Sequence, residues 1–173
     1  MPEHSPSQEH RTEHCTEQRI DAPLQGPHGG GHEAAPTPAV VLDTNIVLDW
    51  FWFADARVAG VASALQSGTQ RWVATLPMRA ELDRVLARLP PWRHGVTREQ
   101  VLAAFDRHVS IVDIAPPAFG LHCTDADDQP FIDLAIHAGA RWLFSRDRAV
   151  LKLARRAATF GCSIAAPEQL LKA

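Results

Sequence analysis

No stretch of roughly 18 apolar residues occurs anywhere in the 173-residue chain, so no segment has the pattern of a membrane-spanning helix. The first residues, Met1-Pro2-Glu3-His4-Ser5-Pro6, lack the basic start and apolar middle of a secretory leader, and a cytoplasmic protein is expected. Cysteine is scarce: Cys15, Cys123 and Cys162 are an odd number, widely spread and without a CxxC pair. That excludes a disulfide scaffold and a structural zinc site. Charge of one sign is also missing. The net value of −3 does not by itself indicate a polyanionic partner, although a near-neutral domain can still bind nucleic acid through a local basic patch.

What is present suits one globular domain with a sizeable core, since 46% of the residues are hydrophobic. The charge is unevenly placed. Residues 1–37 hold six acids against two bases, net −4, and the remainder is at +1. This first stretch has few apolar residues beyond Ile20 and Leu24, carries Gly29-Gly30-Gly31, and contains five of the nine histidines (His4, His10, His14, His28, His32). It cannot bury enough surface to offset its ordering entropy, so residues 1–37 are expected to be a disordered arm and 38–173 the folded domain. A solvated tail explains the histidines better than a metal-scavenging role does.

Order is expected to begin at Ala39-Val40-Val41-Leu42, a short β-branched run typical of a buried central strand. A helical segment should follow to Gly68, then a strand at Arg71–Thr75. Pro77 should open a helix whose apolar stripe is Met78, Leu82, Val85, Leu86 and Leu89, stopped by Pro90-Pro91. Thr97-Arg98-Glu99-Gln100 is a capping box for a helix through Phe105. Strands at Ser110–Ile114, Trp142–Phe144 and Ser163–Ala165, a helix from Asp127 to Gly139, a basic helix over Ala149–Phe160 and a turn opened by Pro167 complete the pattern. Strands alternating with helices imply an α/β fold of three layers, α/β/α, around a mainly parallel sheet.

Four acids then stand out by position. Asp43 directly follows the first strand and Asp147 follows the Trp142–Phe144 strand, so both sit at the carboxyl edge where parallel sheets bind ligands. Glu81 lies about 40° round its helix from Val85, at the border of the apolar stripe. Asp128 falls in the first turn of its helix, where the helix dipole favours an anion. Converging carboxylates repel one another unless a cation compensates. Hard oxygen donors without a neighbouring His or Cys select Mg²⁺ or Mn²⁺, and such an ion points to phosphodiester hydrolysis by water. Taken singly, each acid also has a structural explanation: Asp43 and Asp147 as helix caps, Glu81 as an ion-pair partner of Arg84, Asp127 and Asp128 as cap and dipole partner. The joint pattern favours the site.

In this pattern the sequence resembles the PIN-domain family, and in detail its toxin-like members from prokaryotic toxin–antitoxin systems. The matching pieces, spread from Val40 to about Leu171, are Val41-Leu42-Asp43-Thr44-Asn45, Met78-Arg79-Ala80-Glu81-Leu82, Cys123 to Phe131, Trp142 to Asp147 and Ala166 to Leu171. Each piece alone is weak; together, in order and suitably spaced, they are specific. The resemblance implies a ribonuclease dependent on Mg²⁺ or Mn²⁺, an RNA substrate, a cognate antitoxin and a homodimer. It implies that Asp43, Glu81, Asp128 and Asp147 form the acidic quartet. All four would be metal ligands: Asp43, Asp128 and Asp147 around the main ion, with Glu81 orienting or deprotonating the attacking water directly or through a second ion. Asp125, Asp127 and Asp128 compete for the third place, and counting back from Gly139 selects Asp128, with Asp125 as an additional metal ligand or outer residue. Thr44, Asn45 and Ser145 resemble the polar residues that orient the first and last aspartates. Ala149 stands where some relatives have a further Asp, which counts against a fully occupied second metal site.

Arg148, Lys152 and Arg155 fall at i, i+4 and i+7 after Asp147, with Arg146 and Arg156 nearby, and this basic stripe either holds the RNA backbone or is a solvated helix face. The aromatic run Trp50 to Phe53 is expected to be mostly core, any remainder serving a dimer or antitoxin surface. A haloacid-dehalogenase type of phosphatase would need a second Asp where Asn45 stands. An inactive PIN-like RNA-binding or scaffold module is the remaining alternative.

Overall fold

The structure, a computed structural model, describes residues 36–90, 95–118 and 120–172. The expected arm therefore lies outside the described residues except for Pro36 and Thr37. Five strands, β1 (Ala39–Leu42), β2 (Arg71–Ala74), β3 (Val109–Ile111), β4 (Trp142–Phe144) and β5 (Ser163–Ala165), form one sheet in the order β3-β2-β1-β4-β5. Every pairing is parallel. Among the described residues seven helices accompany it: α1 (Thr44–Phe51), α2 (Ala59–Gln66), α3 (Leu76–Leu86), α4 (Arg98–His108), α5 (Gln129–His137), α6 (Arg148–Leu151) and α7 (Ala154–Ala157). No helix among the described residues is long and apolar enough to cross a membrane.

The centre of the sheet is dry. All four residues of β1 are buried, as are Leu143 and Phe144 of β4 and Trp72 to Ala74 of β2, the continuous burial expected of strands covered on both faces. The strand order gives the fold its functional feature. The chain moves from β1 outward through β2 to β3, then returns to the other side of β1 with β4 and β5, so the order reverses between β1 and β4. Open parallel sheets form their ligand crevice at such a reversal, beyond the carboxyl ends of the strands.

Several element boundaries differ from expectation for local reasons. The single helical segment expected up to Gly68 is two helices. The amides of Trp52 and Phe53 both bond to Leu48 O, Ala54 takes a left-handed φ of 50°, and Asp55 then caps a short 3₁₀ turn through the Arg57 amide at 2.9 Å. β3 ends at Ile111 instead of Ile114 because its partner β2 ends at Ala74, whose carbonyl takes the last bond from Val112. The basic helix is split into α6 and α7 where the Leu153 amide bonds back to Val150 O in a 3₁₀ step. The Thr97 capping box forms as expected and carries α4 on to His108, beyond Phe105. α5 closes at Gly139, whose φ of +57° lets Ala140 reach back to Ala135 O. The aromatic run packs as expected: Trp52 is buried, and Trp50 and Phe51, half-buried, lie against Trp72 and His108.

Candidate active site

The reversal between β1 and β4 is lined by the acids expected there. Asp43 follows β1 without a gap and occupies the N-cap position of α1, but its side chain makes no cap bond to the helix. It is only 4% exposed. Its Oδ2 instead accepts hydrogen bonds from Ser145 Oγ at 2.5 Å and Asn45 Nδ2 at 2.7 Å. Ser145, fully buried just after β4, also accepts from the Asp147 amide at 2.9 Å. Asn45 Oδ1 takes the Arg146 amide at 3.2 Å. Two side chains thus tie the end of β1 to the loop after β4, where Asp147 stands. Asp147 does serve as a cap, accepting the Ala149 amide of α6 at 2.6 Å.

Glu81 reaches the same edge from α3, whose buried face is Met78, Leu82 and Leu86. It forms no ion pair with Arg84 among the described residues. Thr44 Oγ1 donates to Glu81 Oε1 at 3.1 Å. Thr44 therefore holds the glutamate, whereas the resemblance placed it beside the first or last aspartate. Asp128 occupies the N-cap position of α5 with no side-chain cap bond. Asp125 Oδ1 accepts the Asp127 amide at 3.0 Å, a local turn that orders the approach to Asp128.

The electrostatics of this edge run against ionisation. Burial raises the Asp43 pKa, outweighing the bonds from Ser145 and Asn45, with the charge of Asp147 adding to the rise. Burial likewise raises Glu81; the Thr44 bond opposes it and the charge of Asp43 reinforces it. Asp128 is pushed up to about 7, first by burial and then by the charges of Asp43, Asp147, Asp125 and Glu81. These acids feel one another, and among the described residues none of them is in a salt bridge.

Such a donor set fits a hard divalent cation: carboxylate oxygens on one edge, mutually repelling and without a basic partner. Yet no three His, Cys, Asp or Glu side chains among the described residues stand close enough together to hold an ion. Like charge opposes closer approach, and side-chain rotation would have to bring the oxygens together. The expectation that no cysteine is near needs correcting. Cys123 lies close enough to Asp128, Asp125 and Asp147 for their charges to help burial, the larger cause, raise its thiol pKa. A thiol that keeps its proton is a poor metal ligand, so the preference for oxygen stands.

The basic residues divide. Arg146 is withdrawn from the expected RNA-binding group: its Nε bonds Asp49 at 2.6 Å and its Nη1 bonds both Glu168 oxygens at 3.1 Å, so its charge is already matched. The Arg156 guanidinium is turned to Gly120 O. Arg148, Lys152 and Arg155 are exposed and have no ion-pair partner among the described residues. Sequence inspection missed Gln129 and Asp133. Gln129 Nε2 bonds Leu121 O at 3.0 Å and Asp133 Oδ1 at 2.7 Å, and its Oε1 takes the Cys123 amide at 2.7 Å. Asp133 also accepts the Ala118 amide at 2.7 Å. Together they fasten the loop that leads to Asp128. Their signal was a polar pair at i and i+4 in an otherwise apolar helix.

A parallel α/β sheet with acids at the reversal of its strand order defines the class of open α/β folds whose ligand crevice lies at that reversal. The chain belongs to the PIN domain family: that family's model matches residues 39–149, more than half of the sequence, a span that includes Asp43, Glu81, Asp125, Asp128 and Asp147. PIN domains are generally nucleases that use divalent metal ions. No curated protein sequence is significantly similar to the chain. Among solved structures, the crystal structure of VapBC2 from Rickettsia felis bound to a DNA fragment from their promoter is similar in fold. Its TM-score is 0.52 and its identity 14%, covering 73% of this chain and 98% of that one.

Proposed function

We propose that the protein is a Mg²⁺- or Mn²⁺-dependent endoribonuclease and the toxin of a toxin–antitoxin pair. One observation carries the reading: a continuous set of side-chain bonds ties Asp43 to the loop bearing Asp147, a second bond ties Glu81 to α1, and these acids form no salt bridge among the described residues. Asp43, Asp128 and Asp147 hold the ion, with Asp125 as a further ligand or outer residue. A divalent cation there supplies charge against the phosphoryl group and lowers the pKa of the attacking water. Ser145 and Asn45 occupy Asp43 Oδ2, which leaves Oδ1 without a side-chain partner. The Asp128 side chain, in no hydrogen bond or ion pair among the described residues, can turn toward the same ion. Glu81, held by Thr44 and with a raised pKa, orients the water or takes its proton. Arg148, Lys152 and Arg155 hold the RNA backbone beside these acids.

The antitoxin is supported by the fold shared with a protein solved as VapBC2 on its promoter DNA. A homodimer in the cytoplasm completes the reading. A second reading, an inactive PIN-like RNA-binding or scaffold module, is favoured by the lack of a converged ion cage among the described residues. Cleavage of single-stranded RNA by purified protein with Mg²⁺ or Mn²⁺, lost in Asp43→Asn and Asp128→Asn, supports the nuclease; equal cleavage by the variants rejects these roles. Growth arrest on expression, relieved by Asp43→Ala, supports the toxin assignment, and normal growth rejects it.

A further inference from the structure

Beside the acids lies a cleft of about 400 Å³, within the range of roughly 300–1,000 Å³ typical of small-ligand sites. One wall is α3, contributing Glu81 and Arg84, continued by Arg88 in the turn just after it. The facing wall is Ala126, Asp127 and Pro130, the approach to α5 and its first turn, and the apolar side chains of Met78 and Val85 also line it. Arg84 and Arg88 are exposed, and neither forms a salt bridge among the described residues; the Arg84 Nε bonds Ala80 O at 3.3 Å, and its charge acts on Glu81 only through space. This sets them apart from Arg57, Arg79, Arg98 and Arg146, all of which are ion-paired. Arg84 stands in the last turn of α3 and Arg88 in the turn that follows it, where the Arg88 amide bonds Val85 O at 3.0 Å, so both cations line the cleft from the end of α3 beyond Glu81.

We propose that this cleft is a nucleotide-binding subsite that receives the RNA strand next to the bond being cut. Arg84 and Arg88 hold two successive phosphates, and the apolar residues between the walls receive a base or ribose. The inference deepens the nuclease reading and rests on it, because it takes the strand past Glu81. Charge decides the occupant and its orientation. An anionic, partly apolar ligand matches two unpaired cations over an apolar lining. The Asp127 carboxylate on the facing wall repels phosphate, so the backbone lies along α3. The cleft is distinct from the Arg148, Lys152 and Arg155 group, which follows Asp147 on another element.

The test is binding of a short, randomised-sequence, fluorescently labelled single-stranded RNA to full-length protein carrying Asp43→Asn, measured over a series of salt concentrations. Adding Arg84→Gln or Arg88→Gln should lower the slope of log affinity against log salt by about 0.7 each. Arg107→Gln, on the exposed face of α4, should leave the slope unchanged. In the active protein the same substitutions should raise KM while kcat is held, as expected when uniform binding is removed. Unchanged slopes in the double variant, with normal folding by circular dichroism, overturn the inference and return the cleft to some other occupant. If the wild-type protein cuts no RNA, the nuclease reading fails on its own, and the binding slopes still decide whether the cleft holds RNA.

Discussion

The acids of this protein fall into two groups that the structure treats in opposite ways. On the helical surfaces, Asp55, Asp83, Asp106, Asp49 and Glu168 are each paired with an arginine at 2.5–3.1 Å. The guanidinium bonds lower the pKa of Asp83 and Asp106 and hold Asp55 at about 2. At the sheet edge, Asp43, Glu81 and Asp128 have neutral donors or none, and burial with mutual repulsion raises all three. Arginine is not in short supply: Arg79 and Arg84 sit within one turn of Glu81 on α3, yet Arg79 pairs with Asp106, and Arg84 lowers the Glu81 pKa through its charge without forming a salt bridge, too little to offset burial. Among the described residues the fold pairs these surface carboxylates and leaves buried Asp43 and half-buried Glu81 and Asp128 outside any salt bridge, at a cost in stability that a bound cation would offset. The difference between the groups is the physical content of the functional proposal.

The largest expected effect separates the groups by activity. Asp43→Asn should lower RNA cleavage by at least about 100-fold, beyond the roughly 10–100-fold typical of outer-sphere residues. Asp83→Asn should leave cleavage unchanged, as read by initial rates on a labelled single-stranded RNA. Next is the neutral donor that stands where an arginine would elsewhere. Ser145→Ala removes the bond to Asp43 and strands the Asp147 amide, so it should weaken Mn²⁺ affinity by about 10–100-fold and cost about 1–3 kcal/mol in denaturant unfolding. An unchanged affinity would mean that Ser145 serves packing alone.

A third prediction uses pH. Because the folded Asp128 pKa, about 7, lies above its unfolded value of 3.8, the native state retains a proton that the unfolded chain has lost between these values. Stability without divalent ions should therefore fall as pH rises from about 4 to 7, the reverse of the usual paired carboxylate. Asp128→Asn should flatten that part of the melting-temperature profile. Asp83, with its pKa lowered by Arg98, should behave oppositely, its contribution being lost as pH falls through its folded pKa. The smallest effect belongs to that exposed pair: Asp83→Asn should leave the denaturant midpoint nearly unchanged at neutral pH, because solvent screens a surface ion pair.

Much of the comparison was legible from sequence because it rests on strand ends. The buried run Ala39–Leu42 and the Trp142–Phe144 strand delivered Asp43 and Asp147 to one edge without any knowledge of pairing order, and Glu81 followed from helical periodicity. The reversal of strand order between β1 and β4 was not readable, since it depends on which strands become neighbours. Nor were the partners of the basic residues. Arg146 looked like part of a substrate stripe, and only the return of the chain through Glu168 and the turn of α1 at Asp49 commits it to carboxylates. Gln129 and Asp133 escaped notice because their targets are backbone groups of a loop with no periodicity of its own.

The most direct test is calorimetric titration of Mn²⁺ into the purified protein near pH 7, in buffers of different ionisation enthalpy. Saturable binding is predicted, abolished by Asp43→Asn, retained by Asp83→Asn, and accompanied by release of a fraction of a proton because Asp128 titrates at about 7. Absence of binding, or binding that survives Asp43→Asn unchanged, would contradict the claim that these unpaired carboxylates exist to hold a divalent ion.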